Sequence, residues 1–330
     1  MKRDTSPKEP SLMVVVPAHQ AAAELAQCLD GLFGAGFGRD EVLVVDDGSR
    51  DGTGDVARAI GVRVLRHDVA LRPARARNAG VRATQSDVIV FVDADVVVHP
   101  GARDHILRFF REEPGYVALI GSYDDAPAAP RWVSRYRNLL HHFVHQTGNP
   151  EAATFWTGFG AVRRRAFDEA GGLDPAWENI EDVEFGMKLV ERGGRIRLDA
   201  TLLCKHLKDW TLGSMFRTDW KGRAVPWSRL LQRRRARTGD LNLSRTHQTS
   251  AAAVALLVGS LLLVPVLPHS LWLAAAALAL FLAINARFLC LLARQGGPGF
   301  ALVSVFYHAT HYAAALLGFV QVAATRGRKG

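Results

Sequence analysis

From position 250 to 324 the chain carries almost no charge, and that property most narrows what it can fold into. Three apolar stretches lie there, at about 251–267, 271–292 and 300–324. Each is close to the roughly 20 residues, range about 17 to 25, that a hydrocarbon core requires. Helices buried in a soluble core are seldom so long and so uncharged, so these residues predict two to three membrane crossings. Pro268, His269 and Ser270 leave room only for a tight hairpin between the first two stretches. The arginines before residue 250, with Arg287 and Arg294, put the open end of that hairpin in the cytosol. A third crossing would carry Arg326, Arg328 and Lys329 outside, against the positive-inside tendency, so the third stretch is read as crossing, re-entrant or interfacial.

Residues 11–211 have a different texture. Short, continuous apolar runs (Leu12 to Val16, Glu41 to Val45, Val62 to Leu65, Val88 to Val92) alternate with segments of helical character. Continuous apolarity over so few residues means burial on both faces, as in parallel strands covered by helices, so the fold class is α/β. In such sheets ligands gather at the carboxyl ends of the strands. Pro17, Asp46, Asp47, Asp93 and Asp95 all fall at such ends, and residues distant in sequence should therefore line one crevice. Further on, Ile180, Val183, Met187 and Val190 recur at helical spacing until Gly193-Gly194, which puts Glu181 and Asp182 in a first turn. Two short strands are expected at 195–198 and 201–204, leading to His206.

The chain of 330 residues carries a formal charge of +9, and nine Lys and Arg residues crowd between Arg217 and Arg245, just before the hydrophobic region. That position favours anionic lipid headgroups over nucleic acid. Cys28, Cys204 and Cys290 lie too far apart in sequence for a paired spacing, so neither a disulfide framework nor a cysteine metal site is expected, in keeping with a reducing compartment. No cleaved secretory signal is read at the N-terminus. The expected divisions are a disordered lead-in at 1–10, a catalytic domain at 11–211, a basic juxtamembrane segment at 212–249, membrane helices at 250–324 and a basic tail at 325–330.

The sharpest local chemistry is Asp93-Ala94-Asp95 after a buried strand. Alternation puts the two carboxylates on one face, where they can address one hydrated divalent cation carrying a diphosphate. A solvated turn is the plainer account of such a short motif taken alone. A dinucleotide-dependent oxidoreductase would need a Gly-x-Gly-x-x-Gly turn after the first strand, and Pro17-Ala18-His19-Gln20 stands there instead.

Taken together, VVVPAHQ, VVDDGSRDGT, ARARNAG, FVDAD and IEDVEFGMKL resemble, in order and spacing, the family 2 glycosyltransferases of GT-A fold. The resemblance covers roughly residues 11–211. It implies a mostly parallel sheet flanked by helices, a nucleotide-sugar donor, a divalent cation (Mn2+ or Mg2+), and a glycan or lipid-linked acceptor. Pro17 and Ala18 would border the base, with Asp47 accepting from its edge while Asp46 supports the turn. Asp93 would sit near the ribose or cation, Asp95 would ligate the cation and Arg75 would face the phosphates. For Arg75 and Arg77 a solvated helix face is the competing account. Asp182 matches the catalytic base of inverting members, with Glu181 the helix-capping acid. His206 would be a further cation ligand, an imidazole suiting manganese better than magnesium. Trp156, Gly158 and Phe159 would lie on the acceptor side, although Phe159 reads more simply as core.

Two features depart from the family pattern or fall outside it. Processive members carry Gln-x-x-Arg-Trp, whereas this chain has Phe216-Arg217-Thr218-Asp219-Trp220, which argues against polymer extrusion. His141, His142 and His145 match no motif and read as a helix face without metal. The expected enzyme is thus a membrane-anchored inverting glycosyltransferase with its catalytic domain facing the cytosol. The alternatives are transfer to a polyprenyl phosphate, whose oxygen needs no general base, and a non-catalytic sugar-nucleotide-binding module.

Overall fold

The structure is a computed structural model that describes residues 9–234 and 245–326, with no side-chain description at 234 and 326. Most of the expected lead-in, Arg235 and Arg237 of the basic run, and Arg328 and Lys329 lie outside the described residues. The chain divides into two compact units, one running up to Tyr123 and resuming over Asn149–Leu207, the other made of Asp124–Gly148 and everything from Lys208 onward.

The first unit opens with β1 (Leu12–Ala18), α1 (Ala22–Gly34), β2 (Val42–Asp47), α2 (Thr53–Ile60), β3 (Arg63–His67), α3 (Pro73–Arg82) and β4 (Val88–Val92). β1, β2 and β4 are buried almost throughout, as their continuous apolar runs require. β3 carries Arg63 and Arg66 on either side of Val64 and Leu65 and is half-exposed, as befits the edge strand it is. Leu25, Cys28, Leu29 and Leu32 recur at helical spacing in α1 and pack into the main core with Val14, Val16, Val44 and Val90. These strands lie parallel in the order β3-β2-β1-β4.

The sheet then changes character. β5 (Val96–Val98), α4 (Ala102–Glu112) and β6 (Tyr116–Tyr123) are followed, after an excursion of the chain through the second unit, by β7 (Glu151–Ala152), β8 (Phe159–Arg163), α6 (Arg164–Glu169), α7 (Glu181–Glu191) and β9 (Arg195–His206). β8 inserts antiparallel between β4 and β6, while β9 runs parallel to β6 and antiparallel to β5 and β7. The whole is a mixed α/β sheet of GT-A type, parallel over its first half. The two strands expected at 195–198 and 201–204 are one strand, β9, with a register irregularity opposite Ile120 and Ser122. Pairing with β6 resumes beyond it at Leu203 and Cys204, while β5 pairs with Cys204, Lys205 and His206 along the other edge.

In the second unit, α5 (Trp132–Gln146) packs Val133, Tyr136, Leu139, Leu140 and Val144 against Trp210, Met215, Phe288, Leu292 and Phe300. α8 (Leu212–Arg217) starts at a Thr211–Ser214 capping box and runs through a π-helical turn, Thr218–Ala224, into α9 (Val225–Arg234). The apolar region forms α10 (Arg245–Leu263), α11 (Ser270–Ile284) and α12 (Ala286–Arg326). α10 and α12 are long and apolar enough to cross a membrane, whereas α11 is a shorter apolar helix. The expected stretch 271–292 divides because the helix stops at Asn285, whose amide is committed to Ser250, Phe281 and His308. Within α12, Gly297 takes φ 81° ahead of Pro298, and a proline that cannot donate at that point kinks the helix.

Candidate active site

The site is built on the carboxyl ends of β1, β2 and β4. In register, Pro17 stands beside Val45 and Ala18 beside Asp46. The two loops that follow are stitched together: Gln20 N–H donates to Ser49 Oγ at 3.1 Å, and Ala21 N–H donates to Thr53 Oγ1 at 3.0 Å. Asp46 is fully buried and accepts from Ser49 N–H at 3.0 Å and from Arg66, which makes it the brace of the turn. Asp47, also buried, accepts from the backbone N–H of Leu71 at 2.9 and 3.0 Å and of Arg72 at 2.8 Å, and pairs with His67 Nδ1 at 2.7 Å. Its carboxylate is thus occupied in holding the loop before α3, and a nucleotide base edge would have to exchange with those donors.

That loop walls a cavity of about 700 Å³ whose lining includes Leu71, Arg72, Arg75, Glu178 and Glu181. Arg75 is exposed on it. Arg72 sits at φ 76°, a conformation costly for a residue with a Cβ, and is held there by Asp47 on its N–H and by an ion pair from its side chain to Glu178. Asp95 and Asp182 stand outside this cavity's lining.

The acids behind the cavity wall are joined by Arg77. Its guanidinium is buried and donates to Asp93 Oδ1 at 2.6 Å and to Glu181 Oε1 at 2.8 Å, tying the end of β4 to the start of α7. Burial alone would lower its pKa, but Asp93 and Glu181 more than offset this and hold it above the ordinary arginine value. A solvated Arg77 is therefore overturned. It lies on the stripe Ala74, Arg77, Val81, the buried face of α3, and that spacing is the signal that places it inside. The buried face of α7 likewise differs from the expected one: Glu181 and Glu184 are buried and Val190 is 41% exposed. The acids go inside because Arg77 and Lys188, 3.2 Å from Glu184, neutralise them there.

The β5–β9 pairing sets His206 opposite Val96, and the Leu207 N–H donates to Asp95 O at 2.8 Å. His206 Nε2 thereby comes to 3.4 Å from Asp95 Oδ2. Tyr123, a residue the sequence reading missed, stacks on the His206 ring at 4.7 Å and 10° and meets Trp156 edge-on at 4.9 Å and 89°. Gly158 makes the last contact possible, since a Cβ there would sit 2.5 Å from the Trp156 ring. Asp95 and His206 supply a hard oxygen and a borderline nitrogen, a donor pair suited to Mn2+. Among the described residues no cluster of three His, Cys, Asp or Glu forms a complete metal-holding group, so diphosphate oxygens and water would fill the remaining positions.

Asp182 closes the ring. Asp93 N–H donates to Gly158 O at 3.2 Å, and the neighbouring Thr157 points its N–H and Oγ1 at Asp182 Oδ2, 3.3 and 3.4 Å away. α7 can approach this segment only because position 186 is glycine, where a Cβ would lie 2.1 Å from Phe155 N. Burial pushes the Asp182 carboxyl up to about 6, the charge of Glu181 adds to the rise, and Arg77 opposes it. Asp93, Asp95, Trp156, Gly158, Glu181, Asp182 and His206 are thus brought together around β4, β8 and β9. Pro17, Ala18 and Asp47 stand at the β1 and β2 ends, and Phe159 is fully buried core.

A mixed sheet with paired acids at its strand ends and a shielded carboxylate beside them is the arrangement of a GT-A fold. Residues 13–171 match the family described as Glycosyl transferase family 2. The chain is 29% identical over 247 residues to the pre-mycofactocin glycosyltransferase of Mycobacterium tuberculosis, covering 67% of this chain and 48% of that protein. It is 37% identical over 223 residues to the validoxylamine A glucosyltransferase of Streptomyces hygroscopicus, covering 56% of this chain and 52% of that protein. The chain therefore spans about half the length of these two relatives. Among solved structures, the mannosyltransferase PcManGT of Pyrobaculum calidifontis, in complex with GDP-Man and Mn2+, superposes with a TM-score of 0.57 at 20% identity, over 97% of this chain and 90% of that one.

Proposed function

We propose that this protein is a membrane-anchored, inverting glycosyltransferase that moves a sugar from a nucleotide-sugar to a hydroxyl acceptor. The observation that carries the mechanism is Asp182, a carboxylate raised to about 6 by burial, fixed by Thr157 and linked through Glu181 and Arg77 to the Asp93–Asp95 strand end. Such a group is ionised at neutral pH yet more basic than an ordinary aspartate, as a general base requires. In the proposed displacement the acceptor oxygen bonds to the anomeric carbon and gives its proton to Asp182, while the bond from that carbon to the diphosphate breaks with its electron pair leaving on the diphosphate. A divalent cation at Asp95 and His206 would supply neutralising charge for the leaving group. Arg75 on the cavity wall is suited to the phosphates, Pro17, Ala18 and Asp47 to the base, and Trp156 over Gly158 to an acceptor sugar face.

Membrane attachment is supported by how the apolar helices present themselves. Leu262 is 75%, Val266 86%, Trp272 78% and Leu302 75% exposed, and a soluble protein would bury side chains of this size together. The basic residues around Arg217 and Arg229 favour a cytosolic face on the positive-inside tendency. The test is to incubate membranes holding the full chain with a panel of nucleotide-sugars plus Mn2+ or Mg2+ and to measure nucleoside diphosphate release. Donor-dependent release is expected, and none across the panel would leave a binding module instead.

A further inference from the structure

His206 can serve a cation only if its imidazole is held with Nε2 toward Asp95, and a neighbouring ring is built to hold it. β6 ends at Tyr123, whose register partner on β9 is Cys204. His206 lies two residues further along β9, so side-chain alternation returns it to the face of Cys204 and brings it diagonally against Tyr123. The phenol and imidazole stack at 4.7 Å and 10°, the spacing of an aromatic pair in contact.

The β5–β9 pairing fixes the backbone of His206 but leaves its two side-chain torsions to packing. A metal-binding histidine is ordinarily oriented through its second nitrogen, which donates to a carboxylate, a backbone carbonyl or water. Among the described residues no hydrogen bond reaches His206 Nδ1, and Tyr123 makes the ring contact that sets the imidazole plane. Tyr123 is itself held: it is buried in the main core together with Cys204, and the Trp156 ring bears on it edge-on at 4.9 Å.

We propose that Tyr123 is a positioning residue of the cation site. Its ring face keeps the His206 imidazole in the plane from which Nε2 addresses the cation, and Trp156 keeps Tyr123 in place. The aromatic face carries this role and the hydroxyl does not. The proposal rests on the reading of Asp95 and His206 as a cation site, and the test separates the two.

The probe is Mn2+ alone, with no donor or acceptor, added to the full chain purified in a neutral detergent without a histidine tag. Free Mn2+ is followed by its EPR signal, and the bound ion by the ¹⁴N coupling of a coordinated imidazole in pulsed EPR. His206→Ala should bind Mn2+ about tenfold more weakly and lose the ¹⁴N coupling. Tyr123→Leu, which stays apolar but has no flat face, should also weaken binding about tenfold and diminish the coupling, whereas Tyr123→Phe should match the parent. In the His206→Ala background Tyr123→Leu should cost nothing further, since no imidazole is left to position. If Tyr123→Leu does not fold, Tyr123→Met, long and adaptable but equally without a flat face, carries the same expectations. Parent-like Mn2+ binding by His206→Ala would remove the histidine from the cation site and overturn this proposal with it. A loss in His206→Ala beside parent-like affinity and coupling in Tyr123→Leu would leave the cation site standing and overturn the role of Tyr123 alone. So would a loss in Tyr123→Phe as large as in Tyr123→Leu, or a further loss from Tyr123→Leu once His206 is gone.

Discussion

Replacing Asp182 by Asn keeps the shape and the acceptor oxygen facing Thr157 but removes both the proton acceptor and the buried charge. The two losses have opposite signs. The carboxyl rises from 3.8 to about 6 in the fold, so keeping it ionised at neutral pH costs on the order of 3 kcal/mol. A group whose folded pKa lies above its unfolded value carries that cost in full above about 6, and the cost vanishes as pH falls through 3.8. Asp182→Asn should therefore be more stable than the parent at pH 7 to 8, with the difference shrinking toward pH 4 in urea titrations of the detergent-solubilised protein. Its turnover should fall by roughly 10²- to 10⁴-fold, the usual contribution of a positioned base. In the parent, nucleoside diphosphate release should drop as pH falls through about 6, because the base becomes protonated. A variant that gains stability while losing turnover marks a group held charged for chemistry. A variant keeping turnover within about tenfold, or a parent profile flat from pH 7 to 5, would refute the general-base argument and favour an acceptor that is already an anion.

Arg77→Met should destabilise the protein by about 3 to 5 kcal/mol, since the buried Glu181 would be left without its cation beside the partly exposed Asp93, and chemical unfolding measures this. Gly186→Ala should cost about 1 to 3 kcal/mol and lower kcat as well, because the Cβ would meet the Phe155 backbone at 2.1 Å and push α7 and Asp182 away from Thr157. His206→Ala should raise the Mn2+ concentration for half-maximal release about 10-fold or more while sparing nucleotide binding without metal, and chelation should silence both forms. An unchanged Mn2+ requirement would remove His206 from the cation site.

Much of this protein is legible from local chemistry. The continuous apolar runs of β1, β2 and β4 admit little but a covered parallel sheet, so the positions of Asp46, Asp47, Asp93 and Asp95 at strand ends follow from sequence alone. The uncharged region after residue 250 announces long apolar helices in the same way, because composition over some twenty residues outweighs any single side chain. The inward turn of Arg77 was less plain, since a lone arginine on a helix is usually solvated and only its acidic partners, Asp93 after β4 and Glu181 on α7, reverse that.

What only the tertiary structure decided is which distant groups touch. His206 reaches Asp95 through the pairing of β9 with β5, and Tyr123 reaches His206 through the neighbouring strand β6. Asp219 and Arg223, four residues apart on one helical face, line the same cavity as Arg137 and His311, which come from distant helices. The apolar pattern of a sequence fixes which surfaces are buried, since that is a property of each segment. Register and close packing arise only when segments meet, and the chemistry of the site depends on them.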